Sequence, residues 1–170
     1  MFNRLWRVAK TLFIKLKRTK GTPHSIALGV AVGLFIGTVI PIGGQIVAAL
    51  LLAFILRANK LMAVVFTCYT NPYTVPVLYP LFCLLGAKIA RLDLSIRSIN
   101  ENVAALVKAP SWSTMSDFGE ELLLSFFVGA GVIGVILGVA GYFITFWLIA
   151  RHREKVEAKM AAARFRISQG

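Results

Sequence analysis

Charge is the first thing this sequence lacks. Asp, Glu, Lys and Arg make up 15% of its 170 residues, against roughly 25% in ordinary soluble domains. The shortage is concentrated. Gly21–Leu56, Leu61–Ala87 and Leu122–Ala150 each hold no charged residue. Runs of that length exclude a conventional soluble domain and read as an all-α integral membrane protein. Cysteine is scarce too. Cys68 and Cys83 fall in one apolar run, so a disulfide framework is excluded and both read as small buried hydrophobes. Histidine occurs twice, as His24 and His152, far apart and near the ends of apolar runs. No metal site is expected, and no cofactor. Ser/His/Asp groupings, P-loops and Gly-rich nucleotide fingerprints are missing. No catalytic residue is assigned, and the chain reads as something other than an enzyme. Acids are outnumbered, 7 against 19 basic residues, for a net charge of +12. The basic excess sits in two tails beside apolar runs, where it sets orientation and meets anionic lipid headgroups. Nucleic acid is therefore not the expected partner.

What the chain does have is proline in an unexpected place. Thr67–Pro80 reads TCYTNPYTVPVLYP, with Pro72, Pro76 and Pro80 inside an uncharged run. Each proline removes a backbone donor, and hydrocarbon tolerates broken backbone only where protein or a water-filled cavity covers it. The rest of the fold is expected to shield this stretch.

Taken in order, residues 1–20 form a basic amphipathic segment. Phe2, Leu5, Trp6, Ala9, Leu12, Phe13 and Leu16 mark one helical face. Arg4, Arg7, Lys10, Lys15, Lys17, Arg18 and Lys20 fill the other face and the exit. This suits an interfacial helix on an anionic membrane, or a helix docked on a partner. The pattern does not read as a cleavable signal peptide. Residues 21–150 form the membrane domain. Its first apolar segment, 24–56, is too long for one crossing and breaks at Pro41-Ile42-Gly43-Gly44-Gln45. Arms at His24–Ile40 and Ile42–Leu56 make a short hairpin that either crosses twice or re-enters. Gly29, Gly33 and Gly37 form a small-residue ridge suited to close helix packing. The second segment, 61–87, is a proline-broken span. Asn71-Pro72 reads either as the cap of a half-helix at depth or as a proline kink. Segment 88–121 is polar and amphipathic, with Ile89, Leu92, Ile96, Ile99, Val103 and Leu106 on one face. Ser98-x-x-Glu101 resembles a capping box, and Trp112 suits a membrane boundary. Asp117 and Glu120 read as cap and third residue of the last helix. That helix, 122–150, is the long glycine-rich one, with Gly131, Gly134, Gly138 and Gly141 along a strip. Residues 151–170 are a basic cytoplasmic tail expected to fray.

Charge placement gives an orientation. With the N-terminus inside, the cytoplasmic side holds fifteen Lys/Arg, and segment 88–121 outside holds four with five acids. Both termini are then cytoplasmic.

TPHSIALGVAVGLFIGTVIPIGGQ, LRANKLMAV and TNPYTVPVLYPLFCLLG together resemble the bacterial family of unknown function numbered 2062. The specific parts are Thr22-Pro23, the break at Pro41, Asn59, and Asn71-Pro72 with Thr74 and Pro76. The resemblance spans roughly residues 20–90 and reaches the last helix more loosely. It implies a short, multi-spanning bacterial inner-membrane protein. Related domains are joined to glycosyltransferase-like or methyltransferase-like modules. No activity comes with the resemblance.

Two classes of function follow. One is a membrane anchor or assembly subunit, bound to a membrane-protein partner or to a second copy. The other is movement of a lipid or lipid-linked phosphate through a site formed by the two broken segments. Gln45, Thr67, Thr70, Asn71, Tyr73 and Thr74 would line that site, with Tyr69 beside them. Against it, no Lys or Arg lies within an apolar run. A small-ion channel is a third reading, without a charge ring to support it.

Overall fold

The computed structural model describes residues 21–41, 43–109, 113 and 119–168. Every regular element among them is a helix. Residues 1–20 with their seven basic side chains, Trp112 and Asp117 lie outside the described residues.

Helix α1 is Pro23–Val39. Its start follows from chemistry at two positions. Thr22 Oγ1 accepts the Ser25 N–H at 3.1 Å, and Pro23 opens the helix where its missing donor costs nothing. It ends as Ile40 turns extended, just before Pro41. Gly43, at φ +114°, lets the chain reverse. Helix α2, Gln45–Ile55, runs back. The helix of the second arm is thus shorter than the expected Ile42–Leu56, because Gly43 and Gly44 form the turn. Arg57, at φ +52°, closes α2. The Asn59 N–H then bonds to Ser25 O at 2.9 Å, returning the chain to the foot of α1.

Helix α3 is Lys60–Thr67, and Asn59 Oδ1 caps it by accepting the Met62 N–H at 3.0 Å. It runs parallel to α1. A Cβ built on Gly29 or Gly33 would lie 2.4 Å from the carbonyl oxygen of Asn59 or Ala63. One on Gly37 would lie 2.7 Å from Thr67 O. The ridge therefore packs two helices of the same chain, backbone against backbone.

After residues 68–74 the chain continues as α4, Val75–Ala90. The expected half-helix start at Asn71-Pro72 is three residues early. Asn71 Oδ1 accepts from the N–H groups of Tyr73 at 2.9 Å and Thr74 at 3.2 Å, and Asn71 O accepts from Thr74 and Val75. Asn71 thus closes a single turn, and the helix proper begins behind it. Helix α5 is Ile96–Lys108, begun by Ser95, whose hydroxyl accepts the Arg97 N–H at 3.3 Å. Ser98 and Glu101 lie inside α5, not in a capping box. Glu101 instead pairs with Arg97 at 2.8 Å on an exposed face. Ile99, Val103 and Leu106 are buried with Val75, Tyr79, Phe82 and Phe126. Ile96 and Ile89, expected on the same face, are exposed. Cys83 is buried as expected, but Cys68, at the break, is exposed.

Helix α6, Glu120–Ser168, has 49 residues. Glu120 is its first residue, not its third. The helix does not fray after Ala150 but continues to Ser168. By length and composition, its Glu120–Ala158 portion is long and apolar enough to cross a membrane, while α1, α2 and α4 are apolar but shorter.

Contacts along α6 set the levels of everything else. Gly129 approaches Phe82 and Gly86, and Gly134 approaches Thr38 and Val39. Gly138 meets Ala31, Gly141 meets Leu34, Tyr142 meets His24, and Arg153 donates to Gly21 O. So α4 lies beside the first turns of α6 and α1 beside the later ones. At 100° per residue, Ser125 and Gly129 face away from Gly134, Gly138 and Gly141. Helix α6 hands over from one partner to the other across its own width. The handover falls between residues 130 and 134, and both chain breaks sit at that level. Gly131 differs from its neighbours on the strip. A Cβ there would meet nothing within 4 Å, because α1 has already ended.

Candidate functional site

The two breaks meet. Pro41 has no N–H, so the Gly37 carbonyl four residues earlier has no helical donor. Thr70, from the other break, supplies one: its hydroxyl lies 2.7 Å from Gly37 O. The same hydroxyl is 2.9 Å from Gln45 Oε1 and 3.3 Å from Thr67 O. Gln45 Nε2 donates to Thr70 O at 3.2 Å. Gln45, Thr67 and Thr70 are all buried. Thr67 Oγ1 is buried with no hydrogen-bond partner.

A second link lies alongside. The Thr38 hydroxyl donates to Leu34 O at 2.7 Å, one turn back along α1. Its lone pairs are then left for the Tyr69 hydroxyl, which donates to it. Thr38 was not singled out in the sequence. It lies three residues before Pro41 in an uncharged run, which is the signal that could have found it.

The remaining expected site residues are placed differently. Asn71 and Thr74 form a local turn, in which the Thr74 hydroxyl accepts the Asn71 N–H at 2.9 Å and donates to Tyr69 O at 2.9 Å. Tyr73 is 93% exposed and takes no part in the cluster. Gln45, Thr67 and Thr70 thus converge with Thr38 and Tyr69, while Asn71, Tyr73 and Thr74 stand outside. Among the described residues no group of three His, Cys, Asp or Glu side chains could hold a metal. Chemically, the cluster is a set of neutral oxygens and one amide, with no acid or base in it.

Two glycines outside the expected ridges matter more than those within. A Cβ on Gly86 would lie 1.7 Å from Ser125 O, and one on Gly129 would lie 1.9 Å from Phe82 O. Ser125-x-x-x-Gly129 has the small-xxx-small spacing of close-packed membrane helices, which is the signal that could have found one side of this contact.

Outside the cluster the surface is apolar. On α2, Val47, Leu51, Phe54 and Ile55 are exposed, Ile55 to 72%. On α6, Val135, Ile136, Val139, Phe143 and Ile144 are exposed. An apolar groove lies between α1, α2 and α6, lined by Ala31, Phe35, Leu52, Leu56, Gly134 and Gly138 among others.

These features define a class: among the described residues, an all-helical arrangement with one helix long and apolar enough to span a bilayer and two broken segments joined by their own polar groups. The family model described as an uncharacterized protein conserved in bacteria (DUF2062) matches residues 6–157. The chain belongs to that family, whose function is unknown. The match reaches well beyond residues 20–90, taking in most of the amphipathic N-terminal segment and the last helix. No curated protein and no solved structure matches the chain.

Proposed function

We propose that this chain is a multi-span protein of the bacterial inner membrane that serves as a membrane anchor or assembly subunit, without catalysis of its own. The observation that carries the reading is the closed contact between the two breaks. Gln45, Thr67 and Thr70 are buried and turned on one another. A lipid path would need those groups to face a passage. The long apolar side chains face outward instead, on α2 and α6. Helices that are apolar on all sides belong in lipid or against other membrane helices.

On this reading α1 and α2 form a re-entrant hairpin. Helix α1 is about 25 Å long, and it stops at the level of Gly134, near the middle of the uncharged stretch 122–150. Gly21, Asn59 and Arg153 gather at one end, so Arg57, Lys60 and the C-terminal basic residues share a side. That side is the cytoplasmic one by charge count, with anionic headgroups as neighbours. The opposite end carries α5. Exposed α2 and the groove beside it are the docking face for a membrane-protein partner or a second copy.

The anchor reading is tested by placing a photoreactive residue at Val47, Leu51 or Phe54 in native membranes. One discrete cross-linked product is expected, and adducts to lipid alone would overturn it. Depth is tested separately with a nitroxide on Cys68, in a Cys83→Ala background. Relaxation by oxygen should exceed that by a water-soluble nickel chelate, as for a mid-bilayer site. The reverse order would place the break in water and end the re-entrant reading.

A further inference from the structure

We infer that the groove between α1, α2 and α6 holds one tail of an anionic phospholipid from the cytoplasmic leaflet, with its phosphate between Arg57 and Arg153. Size is the first argument. The groove is lined by Ala31, Phe35, Leu52, Leu56, Gly134 and Val139, with other apolar residues, and encloses about 260 Å³. Leu56 and Val139 are exposed on its rim. A helix is about 10–12 Å across, so two turns of one fill on the order of 1,000 Å³. The hollow is too small to seat a partner's helix. A single hydrocarbon chain is what it admits.

Depth is the second argument. The inner end of the groove, at Phe35 and Gly134, lies beside Thr38 and Val39, where α1 stops. On the re-entrant reading that level is the middle of the bilayer. Half of the hydrocarbon core is about 15 Å, or about ten residues of helix. Counted back from Val39, that distance reaches Gly29. Ala31 and Phe35 therefore fall within one leaflet's hydrocarbon, and His24 and Ser25 lie beyond it. A partner helix crossing the whole bilayer would run on past the break, where the groove ends. A lipid tail ends there too.

Charge selects the headgroup. Arg57 follows Leu56 directly and is exposed. Arg153 donates to Gly21 O at the foot of α1 and keeps further guanidinium N–H groups to offer. At 100° per residue it falls on the same side of α6 as Gly138 and Val139. At this end the apolar lining gives way to His24 and Tyr142, whose Nδ1 and hydroxyl lie 2.7 Å apart. Helices α1 and α3 begin here and α2 ends, so two positive helix ends stand against one negative. Among the described residues the acids of this end are Glu154 and Glu157, both farther out along α6 than Arg153. Lys60 is set apart. Its ammonium lies 4.6 Å from the centroid of the Phe54 ring, and Phe54 points away from Leu52 and Leu56, two residues from each. The tail would level the surface beside α2 and leave Val47, Leu51 and Phe54 to a partner. The inference rests on the re-entrant reading for its depth and on no partner.

The test uses the full chain in nanodiscs of phosphatidylcholine with a rising fraction of phosphatidylglycerol of the same tails. Wild type should gain thermal stability saturably, by roughly 3–6 °C at ten times the apparent dissociation constant. Native mass spectrometry of the released chain should find one phosphatidylglycerol retained. Arg57→Gln and Arg153→Gln should each cut that retention roughly fivefold. Lys60→Gln removes the same charge and should retain the lipid as wild type does. Val139→Trp places an indole in the groove, leaves every charge in place, and should lose the gain. Equal retention of the two lipids by wild type overturns the proposal. So does a full gain in Val139→Trp, or a loss in Lys60→Gln equal to that in the arginine variants. Should Val139→Trp not fold, the arginine and lysine variants decide. The Cys68 relaxation measurement reads depth separately. A break at mid-bilayer with no phosphatidylglycerol retained sinks the lipid site alone, whereas a break in water sinks the re-entrant reading and this site with it.

Discussion

Gly86→Ala lowers the melting temperature by roughly 5–10 °C, and Gly131→Ala leaves it unchanged. The contrast is between two glycines in neighbouring helices that look alike in sequence. At Gly86 the added carbon would lie 1.7 Å from Ser125 O and 2.8 Å from the Gly129 backbone nitrogen. Both are main-chain atoms of α6 and cannot swing aside as a side chain can. The helices must part by something on the order of 1.5 Å to restore ordinary contact. That parting opens the aromatic cluster behind it, where Tyr79 and Phe126 rings sit 4.9 Å apart. Overpacking of this kind costs about 1–3 kcal/mol or more, and lost dispersion among Tyr79, Phe82 and Phe126 adds to it. Gly131 meets nothing within 4 Å, so its added methyl costs no contact. Thermal unfolding in detergent micelles checks both. Equal melting of Gly86→Ala and wild type would mean that α4 and α6 do not touch as described.

Thr70→Val costs about 1–3 kcal/mol, while Thr70→Ser costs much less. Valine keeps the shape and removes the proton. Gly37 O then loses its donor, with Pro41 unable to replace it, and Gln45 Oε1 loses its contact as well. An unmet buried carbonyl bears its full desolvation penalty. The loss should appear as faster amide exchange at the ends of α1 and α3, ahead of any change in α5. Uniform exchange across the chain would show that Thr70 does not link the breaks.

Much of this architecture was legible beforehand, and for definable reasons. Proline and glycine act locally, so Pro41 and the 67–80 prolines announced both breaks. Gly29, Gly33 and Gly37 announced a close approach, because small residues repeating every fourth position can only line one helical face. Local rules misread what depends on a partner. Ser98 and Glu101 have capping-box spacing, yet Arg97 claims Glu101, and Ser95 begins the helix. Gly131 keeps the spacing of the strip, yet its partner helix has stopped one turn below. Ser125 and Gly129 keep a four-residue spacing, but what they pack on, Gly86, answers from a helix distant in sequence. The sequence named Gln45, Thr67 and Thr70, which meet, together with Asn71, Tyr73 and Thr74, which lie outside the cluster, and it left out Thr38. A residue's type shows that it can hydrogen-bond, and only the fold shows to what.

The handover along α6 bears on how the chain is made. Helix α6 is translated after α1 to α5, and it is the element that packs along both α1 and α4. Until it leaves the ribosome, the α1–α3 unit and the α4–α5 unit hang from one turn at residues 68–74. Assembly must wait for Glu120–Ser168, so a chain cut short before residue 120 leaves two tethered halves and no clasp.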